Sequence, residues 1–246
     1  MTKQSSYDAP PPWVFTGKAL YQLHLIRTRD AQAHVPKDLR LVEAFGYTLG
    51  GVYVARYDSS PCGKLDEVVL LGGLVWNPPT SCAWASRVYV DSKEAREHGV
   101  KTCGLPSRIA KFDDAVTTQG KTRRGVNWWS GKPRKEADPK VKIIESKREL
   151  CEIIMPNEPS LKGPRISMSL PSFSGRTKKL PDLLKYSLQM HANVRLSSPI
   201  KISVEPNSSE EISVVNILQS KPLLCIAFDN MRMAVGAPSK VTSKTL

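Results

Sequence analysis

From residue 13 onward, the apolar residues fall in short runs that are separated by glycine, proline and polar residues. Runs of this kind, rich in valine, leucine and tyrosine, are typical of β-strands. The run 68–76 is apolar at almost every position, which predicts a strand buried on both faces. The pattern predicts strands over residues 20–26, 47–57, 68–76, 85–90, 108–112, 143–146, 150–155, 165–170, 194–196, 200–204, 212–219 and 223–233.

A few segments have the pattern of helices instead. The pattern predicts helices over residues 30–35, 91–103 and 181–190. The middle helix is the clearest, because Asp91 and Glu94 have the spacing of a capping box. Gly104 and Pro106 then end it. About ten strands with so few helices favour an antiparallel barrel or sandwich over alternating strands and helices.

The composition is that of a folded globular protein. Of the 246 residues, 40% are hydrophobic and 24% are charged, which excludes a disordered chain. One domain is predicted over 13–238, with flexible tails over 1–12 and 239–246. The longest apolar run, 68–76, is less than half of the roughly 20 residues that a membrane helix needs, so no transmembrane segment is expected.

The chain is strongly basic. There are 36 lysines and arginines against 23 aspartates and glutamates, a formal net charge of +13. Residues 121–148 hold ten basic and three acidic residues and are predicted to form a basic surface loop. With Trp128 and Trp129, this loop suggests a nucleic-acid or anionic-surface binder as one alternative. Because the charge is not gathered in a compact stripe, we favour a solvated loop and expect no nucleic-acid partner.

The cysteines and histidines show no local site signature. Four histidines lie far apart without metal-ligand spacing, so neither a metal nor a cofactor is predicted. The five cysteines never form a Cys-x-x-Cys pair, which predicts free thiols in a reducing compartment. They are Cys62, Cys82, Cys103, Cys151 and Cys225. The polar N-terminal residues lack an apolar signal, and we therefore predict a cytoplasmic protein.

The segment from His98 to Arg108 carries a first family resemblance. A predicted helix ends at Gly104, Pro106 turns the chain, and two polar residues follow at the start of a strand. This arrangement resembles the active-site segment of the acetoacetate decarboxylase family. The resemblance implies an α+β fold that is mainly β, an antiparallel cone-shaped β-barrel with a few outer helices. It continues at residues 36–39, 170–175 and 228–238.

The same resemblance implies a site that has lost its nucleophile. In that family the residue after the proline is a lysine that forms a Schiff base. Here Ser107 takes that position, and Arg108 takes the place of a neighbouring lysine. Serine cannot form an imine and arginine stays protonated, so decarboxylation through an imine is not expected. The family's cavity glutamate corresponds to Glu67 and its cavity arginine falls near Lys18.

Longer motifs resemble the plant NEOXANTHIN-DEFICIENT family, which shares this fold group. These motifs are residues 11–18, 40–51, 75–85, 104–107 and 170–175. The resemblance implies a protein required to make the xanthophyll neoxanthin from violaxanthin. It leaves open whether such a protein catalyses the step or only supports it, and it makes the plastid the alternative compartment.

We expect the barrel to enclose an apolar cavity whose polar anchors are Glu67 and Arg108, with Ser107 at the lost lysine position. Aromatic side chains are the candidates for its lining: Phe45, Tyr47, Trp76, Trp84 and Tyr89. The plainer alternatives are core packing for the aromatic residues and a structural ion pair for Glu67 and Arg108.

Two functions fit such a cavity. The first is an accessory, non-catalytic factor that binds an apolar small molecule such as a carotenoid. The second is an enzyme that uses Glu67 and Arg108 for acid–base chemistry on an epoxide or enone, without a covalent intermediate. Assembly into a homo-oligomer stays open.

Overall fold

The computed structural model describes residues 6–77, 80–116, 139–145, 148–156, 163–204 and 216–241. The first strands are β1 (Trp13–Arg27), β2 (Arg40–Leu41), β3 (Tyr47–Ser59), β4 (Leu65–Asn77), β5 (Thr80–Val90), β6 (Ser107–Ile109) and β7 (Lys111–Val116). The others are β8 (Pro139–Glu145), β9 (Arg148–Ile154), β10 (Arg165–Gly175), β11 (Leu183–Ser197), β12 (Lys201–Ser203), β13 (Lys221–Val235) and β14 (Ser239–Lys240). Helices are few: α1 (Thr28–Ala31), α2 (Lys93–Lys101) and 3-10 turns at Ser6–Asp8 and Gln32–His34. No helix within these ranges has the length and hydropathy to cross a membrane.

Ten strands form one large sheet. Its order is β10-β11-β13-β1-β3-β4-β5-β6, with β2 added to β4 and β14 added to β11. Neighbouring strands are antiparallel except for β5 and β6, which are parallel. The sheet curls until β10 lies against β5, although no backbone ladder joins these two strands in the described ranges. The predicted mainly antiparallel β fold is confirmed.

A small sheet of order β12-β9-β8-β7 covers one face of the large sheet. Val54 and Leu70, on β3 and β4, are buried against Val141, Ile143 and Ile153 of the small sheet. Burying an aliphatic side chain of this size contributes about 1.5–3 kcal/mol. Successive side chains of a strand alternate between faces. The other side chains of β3 and β4 therefore point into the interior around which the large sheet curls.

Two buried polar side chains on β1 hold connecting segments to the outer face. Gln22 acts like a neighbouring strand, since its Oε1 accepts from the Ile200 N–H at 2.7 Å and its Nε2 donates to the Ile200 carbonyl at 3.3 Å. Gln22 Nε2 also lies 2.8 Å from His24 Nε2, which must therefore accept. The proton sits on His24 Nδ1, 3.1 Å from the Ile217 carbonyl and 2.9 Å from Ser220 Oγ.

This arrangement predicts that His24 contributes less stability to the fold in mild acid. Burial lowers the pKa of His24 from its ordinary value of 6.5, so the unfolded chain binds the proton more readily than the folded one. The stability from neutral His24 is complete above pH of about 6.5 and is lost as the pH falls below that value. We expect the urea midpoint of the wild type to fall relative to that of His24→Gln between pH 7 and pH 5. His191→Gln, at an exposed hydrogen bond to Ser167, is the control and should follow the wild type. An equal change of the wild-type midpoint relative to both variants would contradict the assignment to His24.

The helix predicted over 91–103 is confirmed as α2, with one difference at its start. The capping residue is Ser92, whose Oγ accepts from the Ala95 N–H at 3.3 Å. The Asp91 carboxylate instead accepts from the Asp66 N–H at 3.1 Å. After the helix, Gly104 adopts a φ of +63°, which a glycine reaches without steric cost.

The helix predicted over 181–190 is wrong, because these residues enter strand β11. That strand pairs with β10 on one side and with β13 on the other. Two backbone ladders outweigh the local helix preference of a leucine- and lysine-rich segment. The strand predicted over 212–219 lies outside the described residues up to 215, and residues 216–218 form a helical turn.

Both predicted tails are partly ordered. Residues 6–12 pack on the domain, with Tyr7 stacked on His98 at a centroid distance of 4.1 Å. At the other end, β14 pairs with Leu184 and Lys185.

The predicted basic loop 121–148 is also partly strand. Its residues 139–145 form β8 and Arg148 begins β9, whereas 117–138 and 146–147 lie outside the described part of the chain. Lys142 in β8 pairs with Glu149 at 2.8 Å and faces Glu152 at 3.9 Å, so its charge is compensated.

Candidate functional site

Side chains from six strands meet in one interior cluster. Its buried members come from β1, β3, β4, β5, β11 and β13, with Ala95 of α2. In the cross-strand register, Ala19 stands opposite Ala55, Ala55 opposite Glu67, and Glu67 opposite Val90. The direct cross-strand neighbours of Glu67 in this row are therefore alanine and valine, so the carboxyl group lies among apolar side chains.

Glu67 on β4 lies at the end of a row of hydrogen-bonded tyrosine hydroxyl groups that belong to β3. Tyr57 Oη donates to Glu67 Oε2 at 2.9 Å, and Tyr53 Oη lies 3.3 Å from Tyr57 Oη. Tyr53 Oη also lies 3.6 Å from Met231 Sδ. Tyr53 and Tyr57 are four residues apart on one strand, so they face the same side of the sheet. The interior thus holds a short polar line within apolar surroundings.

Burial controls the protonation of this line. It raises the pKa of Glu67 from 4.5 to about 7, opposed by the hydrogen bond from Tyr57. Burial and the nearby Glu67 also raise the pKa values of Tyr53 and Tyr57, so both phenols stay protonated. Near neutral pH the carboxyl exchanges between acid and carboxylate, whereas the tyrosines remain donors.

The N-terminal residues bring another tyrosine, Tyr7, to the cluster. Tyr7 lies flat on His98, and Trp13 meets the same imidazole edge-on at a centroid distance of 4.3 Å. Tyr7 Oη is 4.0 Å from Cys62 Sγ. Burial, followed by the charges of Cys62 and Glu67, raises the pKa of Tyr7. Tyr7 thus packs against the interior cluster that contains Tyr57.

Cys103 does not have the properties of a nucleophile. Its Sγ is 3.6 Å from His98 Nε2, the pairing seen in thiolate–imidazolium sites. However, burial raises the pKa of Cys103 to about 12 and lowers that of His98. Both groups are therefore neutral at pH 7, and the pair does not supply a thiolate.

The predicted pairing of Glu67 with Arg108 is wrong. Strand β6 runs parallel to β5, with Ser107 opposite Val88 and Arg108 opposite Tyr89. Val88 belongs to the interior cluster and Tyr89 to the core under the small sheet, so Ser107 and Arg108 point to opposite faces. Arg108 Nη1 instead binds Glu145 Oε1 at 3.1 Å. It lines an open surface groove of about 460 Å³ beside α2.

Ser107, at the lost lysine position, is buried beside α2. A Cβ added to Gly99 of that helix would lie 2.5 Å from Ser107 Oγ, so the hydroxyl packs directly on the helix backbone. Lys18, the predicted counterpart of a cavity cation, stands opposite Arg56 on β3. Because Glu67 stands opposite the adjacent residue of β3, Ala55, Lys18 and Glu67 face opposite sides of the sheet.

Most of the predicted aromatic lining lies elsewhere. Phe45 is fully exposed, and Tyr47 and Trp76 are each 40% exposed, so none of them lines the interior. Tyr89 packs in the core under the small sheet, and Trp84 packs in a third core together with Phe173. Contact of Tyr89 and Trp84 with a ligand stays a prediction that their packing does not support.

Two residues of the site were not predicted from the sequence, namely Tyr53 and Tyr57. Both lie in the predicted strand 47–57, and their even spacing was a usable signal, since it puts them on one face. The register that places β3 beside Glu67 of β4 could not be predicted from the sequence.

The chain is similar to plant proteins over nearly all of its length. It is 44% identical to Protein NEOXANTHIN-DEFICIENT 1 of Oryza sativa subsp. japonica, covering 96% of this chain and 91% of the relative. It is 42% identical to Protein NEOXANTHIN-DEFICIENT 1 of Arabidopsis thaliana, covering 95% of each chain. No protein-family model matches the chain.

Solved structures share the fold at low sequence identity. An acetoacetate decarboxylase from Legionella pneumophila superposes with a TM-score of 0.63 at 13% identity, covering 95% of this chain and 88% of its own. An acetoacetate decarboxylase-like enzyme from Sphingomonas wittichii RW1 gives the same TM-score and identity, with 96% and 95% covered. At 13% identity, these structures show that the chain shares their fold.

Proposed function

The chain belongs to the NEOXANTHIN-DEFICIENT 1 family, and from this premise we propose that it takes part in neoxanthin biosynthesis by binding an apolar, oxygen-bearing ligand inside the curled sheet. The ligand class is a xanthophyll such as violaxanthin or a precursor, with an oxygenated end ring at Glu67. The observation that carries this proposal is the hydrogen-bonded line of Tyr53, Tyr57 and Glu67 within an otherwise apolar interior.

The chemistry of the line suits an uncharged oxygen atom. An epoxide or hydroxyl oxygen accepts hydrogen bonds, and protonated Glu67 is a donor that the O–H of Tyr57 holds in place. A few placed polar groups in an apolar pocket orient a ligand while the apolar surface supplies the affinity. A charged ligand would face the cost of desolvation without a buried cation, because the described residues include no buried lysine or arginine.

The accessory role is favoured by the chemistry of the two nucleophile candidates that the described residues place near the interior. Ser107 cannot form an imine, and the Cys103 thiol stays protonated. A second candidate, acid–base catalysis by Glu67, is favoured by one observation. Its pKa of about 7 is the value that a general acid needs at neutral pH.

A binding experiment tests the ligand proposal through its pH dependence. Protonated Glu67 donates to the ligand oxygen and the carboxylate does not. We therefore expect the affinity of the purified protein for violaxanthin to fall about tenfold between pH 6 and pH 8. Glu67→Gln keeps an N–H donor at every pH, so its affinity should be independent of pH. Tyr57→Phe removes the O–H that positions Glu67 and should lower affinity about fivefold. Quenching of tryptophan fluorescence measures the affinities of the wild type and of the two variants.

Glu145→Gln is the matched control, because Glu145 pairs with Arg108 on the outer face. It should keep the pH dependence of the wild type. Equal affinity at pH 6 and pH 8 in the wild type would contradict the role of Glu67.

Chromatography of the same mixtures distinguishes the accessory role from acid–base catalysis. Product formation lost in Glu67→Gln would establish the enzyme and overturn the accessory role.

A further inference from the structure

One end of the large sheet gathers several strand termini. Arg27 at the end of β1 stands opposite Tyr47 at the start of β3. Leu25 stands opposite Lys221 at the start of β13, and Ser197 at the end of β11 pairs with Cys225 of that strand. The end of β4 joins them, because Trp76 stands opposite Arg40 of β2, a few residues before Tyr47.

This end is unusually apolar for an exposed surface. Five of the eight large hydrophobic side chains that the described residues expose lie here: Phe45, Tyr47, Trp76, Leu196 and Leu223. We call these five residues, with the cations Arg27, Arg29, Arg40 and Lys221, the Phe45 end. Scattered exposed apolar residues are ordinary, but a concentration of them at one end marks an interaction surface.

Phe45 is held outward by the backbone around it. It occupies the left-handed region with a φ of +52°, which is unfavourable for a residue with a side chain. The turn is fixed by hydrogen bonds between Ala44 and Tyr47, 2.8 Å and 3.0 Å long, and by the Thr28 N–H bound to the Gly46 carbonyl at 2.9 Å. The ring therefore projects from a fixed turn instead of folding back onto the core.

The charges of the Phe45 end have one predominant sign. Arg27, Arg40 and Lys221 are exposed and have no acidic partner within the described ranges, while Arg29 lies 3.6 Å from Asp30. Glu43 is the acidic residue between Arg40 and Phe45. Protruding aromatic side chains surrounded by cations match the interface of an anionic bilayer, where rings lie at headgroup level and cations meet lipid phosphates.

We propose that the Phe45 end docks on an anionic lipid bilayer. The side chains project singly from a fixed turn and from strand ends, and the net charge of +13 attracts the protein to a negative surface. A bilayer accommodates such scattered projections without a complementary pocket. This proposal does not depend on the ligand proposed above.

Vesicle flotation tests it with the full chain. We expect the wild type to bind vesicles of phosphatidylcholine with about one third phosphatidylglycerol at least tenfold more tightly than pure phosphatidylcholine vesicles. Phe45→Ser and Trp76→Ser should each weaken binding to both about tenfold. Arg40→Gln should weaken binding to the anionic vesicles about fivefold and leave neutral vesicles unaffected.

Matched controls lie at the opposite end of the sheet. Ile109→Ser removes an apolar side chain that is 38% exposed, close to the 40% of Trp76, and Lys93→Gln removes an exposed charge. Both should bind vesicles like the wild type. Failure of the wild type to bind anionic vesicles would overturn the proposal, and so would equal losses in the controls. A change of mass in solution for Phe45→Ser, without a change in vesicle binding, would assign the surface to a second copy instead. The vesicles contain no carotenoid, so failure here leaves the interior site standing.

Discussion

Replacing Gly51 by alanine is expected to destabilise the protein by roughly 3–5 kcal/mol, enough to unfold a marginal domain. Gly51 has a φ of +135°, a conformation that side chains rarely adopt, and a Cβ there would lie 2.0 Å from the Gln22 carbonyl oxygen. Strain of the backbone costs about 1–3 kcal/mol and the steric clash a similar amount. Strands β1 and β3 would have to separate where they support Tyr21 and Tyr53.

Gly63→Ala isolates the steric part of this effect. Gly63 also has a positive φ, +95°, but nothing lies within 4 Å of an added Cβ. Its substitution should cost only the conformational part, about 1–2 kcal/mol. Urea unfolding of both variants, followed by circular dichroism, measures the difference. Similar losses in the two variants would show that the close approach of β1 to β3 is not tight.

Glu67→Gln is expected to stabilise the fold by about 3 kcal/mol at pH 8 and to have little effect at pH 4. The pKa of Glu67 is about 7 in the folded chain and 4.5 in the unfolded chain, so folding favours the protonated acid. The stability that the wild type has with protonated Glu67 is complete below pH 4.5. It is lost as the pH rises to about 7, because the carboxyl group then ionises inside the fold. Glutamine resembles the protonated acid and escapes this loss.

Chemical unfolding of the wild type and of Glu67→Gln across this pH range measures the effect as a difference, which removes the opposite contribution of His24. Glu145→Gln is the control, since its partner Arg108 lies on a partly exposed face and the pair contributes at most about 1 kcal/mol. A constant difference between wild type and Glu67→Gln from pH 4 to pH 8 would contradict the raised pKa. The gain in stability would come with the loss of pH-dependent ligand binding, as is common when a functional group that destabilises the fold is removed.

Local patterns were sufficient for most of the fold. Gly104 marks the end of α2 although its cap is Ser92 and not Asp91, and dense apolar runs mark β3 and β4. The segment 181–190 failed because its leucines and lysines have a helical pattern, whereas its state is set by pairing with β10 and β13. Pairing partners far along the chain leave no local trace.

The site was predictable in part for the same reason. Glu67 and Ser107 stand opposite Val90 and Val88 of the interior cluster, and their contact with a ligand stays a prediction that rests on the resemblance. Arg108 was misplaced because adjacent residues of a strand face opposite sides, and the side is decided by the register of β6 against β5. Tyr53 and Tyr57 became recognisable only once β3 was aligned with β4.

The stacking of Tyr7 on His98 has a practical consequence for laboratory work. A fusion partner or affinity handle joined ahead of this residue would start only a few positions from a ring that is packed beside Glu67. A handle joined after β14 would follow a two-residue strand that pairs with Leu184 and Lys185, away from that ring. Protein carrying its handle at the carboxyl terminus is therefore the suitable material for titrating ligands and lipids.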